Sequence, residues 1–312
     1  MAHDSRLTLR WLGLVALAGA AIPLYVRLRD VAARVGGDGT LFLWPGLGVT
    51  LVAVAAGWLV LSSRPASSAR ARWIELALLA GGGLAFRALL LGTPPGLSHD
   101  AYRYVWDAHL VAHGVSPYIH PVNDPALIPY RDGAIWPLVN WRDAVTIYPP
   151  GAEAFYLLVH AVAPLSISAL QLAMAACDLL CGVLIVILLR QRGLDPRRAV
   201  IYWWCPVPVL EFTFSAHVDA VATVWVLAAL VAAGARWRAA RVAAGIFLGL
   251  AALTKLYPLL FVAALARRRD WGFALGMAGS CVALVLPFAA LGLGNGGFLG
   301  TYITQRFVDQ GL

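Results

Sequence analysis

Charge is scarce in this chain. Lysine, arginine, aspartate and glutamate together make up 13% of its 312 residues, where soluble domains carry about a quarter. An ordinary soluble fold is therefore excluded. Alternating polar and apolar runs are also missing, and the continuous apolar stretches exclude a β-barrel. Cysteine is limited to Cys177, Cys181, Cys205 and Cys281, all inside apolar stretches. Their spacing suits neither a metal site nor a disulfide framework, and they read as small buried hydrophobes. What remains is 61% hydrophobic, with runs long enough to cross a bilayer. The fold class is an all-α polytopic membrane protein, read as a single transmembrane domain over residues 1–312. Arg6 and Arg10 precede the first run, which has no clean cleavage site and reads as an uncleaved helix.

The apolar runs cover about 9–26, 41–61 and 73–91, then 152–163, 168–189, 200–233, 242–266 and 271–293. Arg27, Arg29, Asp30, Arg34 and Asp38 are expected in a loop after the first run, with turn chemistry at Gly36-Gly37-Asp38-Gly39. The net charge of +8 sits in short basic loops. That is a positive-inside distribution rather than a nucleic-acid signal; a lipid phosphate partner is compatible with it. Placing Arg64, Arg70 and Arg72 in the cytoplasm puts the N-terminus there too, and makes residues 93–150 an extracytoplasmic loop. If Arg190–Arg198, Arg236–Arg241 and Arg267–Arg269 are also cytoplasmic, the breaks at Glu211–Asp219 and Lys255–Pro258 are tips of hairpins of short helices, and 152–163 penetrates only partway. Irregular backbone at that depth is tolerated where it lines a protein cavity. Plain single spans are the alternative.

Loop 93–150 is the one long polar segment, and loops of this length are typically functional or disordered. It is too aromatic, and too poor in Ser, Gln and Glu, for disorder. Ser98 is placed to cap a helix over about 99–113. At helical spacing Asp100, Arg103, Tyr104 and Asp107 share one face, and Tyr102, Val105, Trp106, His109 and His113 another. This predicts an amphipathic helix lying at the membrane interface. The prolines that follow preclude long regular structure. Trp136, Trp141 and Tyr148 are expected to hold the loop on the membrane surface.

Ionisable groups in or beside apolar segments default to functional hypotheses. Asp100 is the candidate base for an acceptor hydroxyl, or a first-turn acid stabilised by the helix dipole. Arg103 suits a lipid phosphate, or an ion pair with Asp100 or Asp107. His217 and Asp219, at a helix break with Glu211, form part of a donor pocket or a hydrogen-bonded cap; a divalent cation there is a further option, and no other cofactor is implied. Lys255 captures a phosphate or snorkels to the interface. Asp178 is expected to pair with a neighbouring helix, while Glu153 and His160 read as interfacial.

The ordered set Ser98-His99-Asp100-Ala101-Tyr102-Arg103-Tyr104-Val105-Trp106-Asp107, Gly114-Val115-Ser116-Pro117-Tyr118, Thr146-Ile147-Tyr148-Pro149-Pro150-Gly151, Glu211 with His217-Val218-Asp219-Ala220, and Gly249-Leu250-Ala251-Ala252-Leu253-Thr254-Lys255-Leu256-Tyr257-Pro258 resembles the polyprenyl-phosphate-sugar-dependent glycosyltransferases of the GT-C superfamily, in their bacterial mannosyltransferase-like branch. The resemblance implies a GT-C-like transmembrane bundle in the cell membrane and an inverting transfer of a hexose, mannose above others, to an extracytoplasmic glycan or glycolipid acceptor. It gives Asp100 the role of base and the position before it, often a second acid, to His99. Arg103, Tyr104, Asp107, Tyr148, Glu211, His217, Asp219 and Lys255 then line the substrates. Relatives continue with further membrane helices after the last one here, so the chain is expected to be C-terminally short. A non-catalytic lipid-phosphate binder, transporter or flippase is the alternative, although transporters more often show internal repeats and none is evident.

Overall fold

A computed structural model describes residues 2–33, 40–293 and 300. Arg34, the expected turn at 36–39 and the C-terminal stretch 306–312 lie outside the described residues. Among the described residues there are helices and no strands. The longer helices are α1 (Ala2–Ala33), α2 (Thr40–Leu61), α3 (Ala69–Ala88), α4 (Asp100–Ala112), α5 (Pro150–Val162), α6 (Ile167–Gln191), α7 (Asp219–Gly234), α8 (Ala240–Thr254) and α9 (Trp271–Leu291). Four of them, α1, α2, α6 and α9, are long and apolar enough to cross a membrane; counting the bent pair Pro206–Phe214 and α7 as one span makes five. The chain is a multi-pass membrane protein.

The chain divides into two compact units, Met1–Leu97 with Met174–Ala220, and Ser98–Ala173 with Val221–Leu312. In the first unit an apolar core joins α1, α2 and α3 to the segment after α6 through Leu14, Tyr25, Val49, Leu79, Phe86, Trp203 and Phe214. Asp178 of α6 receives Arg87 of α3 at 2.6 Å and 3.0 Å, and the Tyr202 hydroxyl donates to it at 2.6 Å. Both ions are essentially inaccessible, at 1% and 0% exposure. The expected pairing of Asp178 with a neighbouring helix is found, and Arg87 is the partner. At one end of this unit, Arg10 donates to Ser63 and to the Arg64 carbonyl, and Arg197 donates to the Ser63 carbonyl. The start of α1, loop 62–68 and loop 192–199 therefore meet at one end of this unit.

One expectation fails here. Arg27, Arg29 and Asp30 do not form a loop; α1 runs on through Ala33. Arginine has good helix propensity, and Arg29 closes an ion pair with its neighbour Asp30 at 2.9 Å.

The second unit holds α4, loop 113–149, α5 and the α8–α9 pair. The α8–α9 contact is backbone on backbone. A β-carbon at Gly245 would strike the Phe273 carbonyl, and one at Gly276 the Val242 carbonyl, the close approach that small residues allow in membrane helices. After Thr254 the backbone turns extended at Lys255 and resumes as a tight turn at Tyr257–Leu259 and a short helix, Leu260–Leu265. The expected break at 254–258 is present. So is the break between Glu211 and Asp219, where the two helical pieces bend by 119° through Ala216 in the left-handed region, φ 56°.

Candidate functional site

Helix α4 forms where periodicity places it, but not in the expected setting. It runs Asp100–Ala112 with His99, not the expected Ser98, as its N-cap residue; the Ser98 hydroxyl instead accepts from the Asp100 amide at 3.1 Å, just before the helix. Residues 101–108 are all buried. An interfacial helix would leave its polar face to water; here that face packs inside the second unit, because Arg103 and Asp107 satisfy each other. Arg103 Nε donates to both Asp107 oxygens at 2.8 Å and 2.9 Å, and Nη1 to the Ala144 and Trp141 carbonyls at 3.1 Å and 3.3 Å. Buried charge is tolerated when paired and hydrogen-bonded in this way. The guanidinium thus ties the far end of the loop to the helix.

Asp100 stands half-exposed at the start of α4. Asn140 donates its Nδ2 to Asp100 Oδ1 at 2.6 Å, which fixes the carboxylate from across the loop. His99 precedes it, exposed, with Nδ1 at 3.2 Å from the Leu138 carbonyl.

Behind α4 lies an aromatic stack. Tyr104 lies parallel to Tyr156 of α5 at 4.4 Å and edge-on to Tyr148 at 4.8 Å. Tyr118 donates its hydroxyl to the Tyr148 carbonyl at 2.8 Å. Tyr148 is therefore an internal packing residue and not a surface anchor: its ring buries more area against two tyrosines than it could at an interface. Trp136 is held between Arg131 and Arg142, at 4.4 Å and 4.6 Å. Trp141 alone of the three stays exposed, at 64%.

Glu153 is also corrected. It is fully buried, and Thr146 donates its hydroxyl to Glu153 Oε1 at 2.9 Å. Burial first, and then the neighbouring Asp107, push the Glu153 carboxyl well above the usual carboxylate range. Burial also raises Asp107, against the pull of Arg103. Arg103 pairs directly with Asp107 alone, and an uncompensated buried charge is costly, so it is Glu153, with no cation in direct contact, whose neutral form burial favours. His160 is buried as well and lies 5.5 Å from the His109 ring, so it too is internal. Burial keeps both imidazoles below their ordinary range, with nearby histidines acting in the same direction.

The motif at 146–151 meets the Lys255 break. A β-carbon at Gly151 would lie 2.6 Å from the Leu253 carbonyl and 3.2 Å from the Thr254 amide nitrogen. Glycine at 151 lets the start of α5 sit directly on the end of α8. Half-buried Lys255 follows that contact by one residue. Asp100, Arg103, Tyr104, Asp107, Tyr148 and Lys255 all belong to the second unit.

Glu211, His217 and Asp219 belong to the first. His217 Nδ1 lies 2.7 Å from Glu211 Oε2, and the His217 amide donates to the Glu211 carbonyl at 3.0 Å. Side chain and backbone together close the break into a tight loop, and Asp219 opens α7. Among the described residues no three or more His, Cys, Asp or Glu side chains gather into a group that could hold a metal.

Sequence reasoning missed Asn140 and the burial of Glu153. Glu153 carried a signal, being an acid in an apolar helix. Asn140 carried none.

Two comparisons with known proteins find nothing: no curated protein and no solved structure matches. A third does. The sequence model described as Glycosyltransferase family 87 matches residues 146–304, just over half of the chain. The match begins at Thr146 and takes in Tyr148, Glu153, Glu211, His217, Asp219 and Lys255; α4 and Asp100 lie before it.

Proposed function

The chain belongs to glycosyltransferase family 87, a family of GT-C type, and from that premise we propose that it transfers a hexose, mannose in the first instance, from a polyprenyl-phosphate carrier to an acceptor hydroxyl on the extracytoplasmic side. The acceptor oxygen attacks the anomeric carbon on the face opposite the phosphate. The new glycosidic bond forms as the bond to the phosphate oxygen breaks, its electron pair leaves with the polyprenyl phosphate, and the configuration inverts. The hydroxyl proton passes to Asp100.

The observation that carries this reading is the setting of Asp100. It is half-exposed at the head of α4, oriented by Asn140 at 2.6 Å, with the rest of α4 locked by the Arg103–Asp107 pair. A base must be held within hydrogen-bond reach of its proton, and a buried brace behind an accessible carboxylate supplies that. Arg103 spends its donors on Asp107 and the loop carbonyls, so its role is to position. Lys255 meets the departing phosphate. Tyr104 and Tyr148 shape the cleft from behind. Family membership favours transfer over mere carriage of a lipid-linked sugar.

Membranes containing the full chain, given radiolabelled polyprenyl-phosphate mannose, are expected to release label into an acceptor glycan with inverted anomeric configuration. Transfer from a nucleotide sugar but not from the polyprenyl donor would reject the donor assignment.

A further inference from the structure

The first unit contains a cavity that none of the candidate site residues above lines. Its volume is about 340 Å³, and its walls include Arg72, Trp73, Leu76, Arg190, Asp195 and Arg197. It opens where the head of α3, the end of α6 and loop 192–199 meet. The charges around it do not balance. Arg10 and Arg197 both contact Glu75, at 2.7 Å and 3.4 Å, and Arg197 also holds Asp195 at 2.7 Å. The two acids are thereby consumed. Arg72 and Arg190 have no acid partner among the described residues. Arg72 Nη1 donates to the Ser67 and Ala66 carbonyls at 2.8 Å and 3.2 Å, and the Arg190 guanidinium lies over the Trp73 ring at 4.8 Å.

The remaining walls are apolar. Trp73 is 61% exposed, and the cavity edge also carries Pro65 and Pro196. Two uncompensated guanidiniums beside an exposed indole, at an arginine-rich end of membrane helices, form an amphiphilic receptacle. Guanidinium forks match phosphate oxygens, indoles settle at headgroup depth, and basic pockets between membrane helices take anionic lipid headgroups.

We propose that this cavity binds the phosphate of an anionic glycerophospholipid, with Arg72 and Arg190 gripping the phosphodiester and Trp73 and Leu76 lying along the glycerol and upper acyl region. Volume supports a headgroup-sized occupant rather than a whole lipid, whose chains would extend along the helices into the bilayer. The site is independent of the sugar-transfer reading and stands whether or not Asp100 is the base.

The test uses the full chain in phosphatidylcholine nanodiscs with and without phosphatidylglycerol, read by native mass spectrometry for retained lipid and by thermal unfolding. The intact protein should retain phosphatidylglycerol and unfold at higher temperature when it is present. Arg72→Gln with Arg190→Gln should lower retention about tenfold or more, as expected for losing charge-assisted contacts, while unfolding normally in phosphatidylcholine alone. Arg192→Gln with Arg198→Gln, which alters exposed arginines outside the cavity, should leave retention unchanged. Equal loss in both pairs would show diffuse surface attraction and overturn the site. Unchanged retention in the first pair would also overturn it. Inorganic phosphate protecting as well as phosphatidylglycerol does would reassign the cavity to a free anion.

Discussion

Glu153 is a buried acid with no cation in direct contact, and its protonation state sets how the second unit responds to pH. Its folded value is raised by burial and by Asp107. Its contribution to stability is therefore fully present below the ordinary carboxylate range and is lost as pH rises toward the folded value. Glu153→Gln, which keeps a neutral amide able to accept from Thr146, should flatten the fall in unfolding temperature as pH rises above the ordinary carboxylate range and retain most transfer. Glu153→Ala should lower stability by about 1–3 kcal/mol, leaving Thr146 without its acceptor; a Glu153→Gln profile as steep as the parent's would rule this out. At this scale the sequence was partly legible. Asp178 had to find a cation because it lies inside a long apolar helix, and Arg87 meets it. Glu153 misled because α5 is short, and a short helix reads as interfacial until its packing against α4 is known. Asn140 lies forty positions from the carboxylate it holds, in a proline-rich stretch with no periodicity, so only folding brings the two together.

Helices and their breaks were more legible than side-chain partners. The ends of α2, α6 and α9 fall within about two residues of the apolar runs, because hydrocarbon thickness dictates their length. The breaks at 215–218 and 255–258 follow from polar residues interrupting those runs, with Pro258 unable to continue α8. What periodicity did not give is the burial of α4: an amphipathic pattern shows that a face is polar, not whether water or an ion pair satisfies it. Two elements can be tested directly. Gly151→Ala should force α5 away from the Leu253 carbonyl and misalign the Lys255 break, lowering transfer at least tenfold with a smaller loss of stability; a fully active variant would remove that contact from the mechanism. In the first unit, Arg87→Ala should destabilise by about 3–5 kcal/mol by stranding Asp178. Arg87→Met with Asp178→Leu should recover much of that loss in thermal unfolding, since well-packed apolar pairs often replace buried ion pairs at little cost.

Across the whole molecule, an all-helical membrane fold follows from composition alone, while the division into two compact units does not, since units are defined by long-range contacts. Loops 62–68 and 192–199 meet through Ser63 and Arg197, so their arginines lie at one end of the first unit. In a variant whose four native cysteines are replaced by alanine, Ser67→Cys should be labelled by an impermeant thiol reagent only after the membrane is opened, and Gly133→Cys in intact cells; the reverse pattern would invert the topology. The central claim is that an accessible aspartate at the head of α4 takes the acceptor proton in a polyprenyl-phosphate-dependent transfer. The direct measurement is the single-turnover rate of label transfer in membranes for the parent chain and for Asp100→Asn. The rate should fall by about 10²–10⁴, the range for loss of a general base, with thermal stability preserved; an Asp100→Asn chain that transfers at the parent rate would contradict the account.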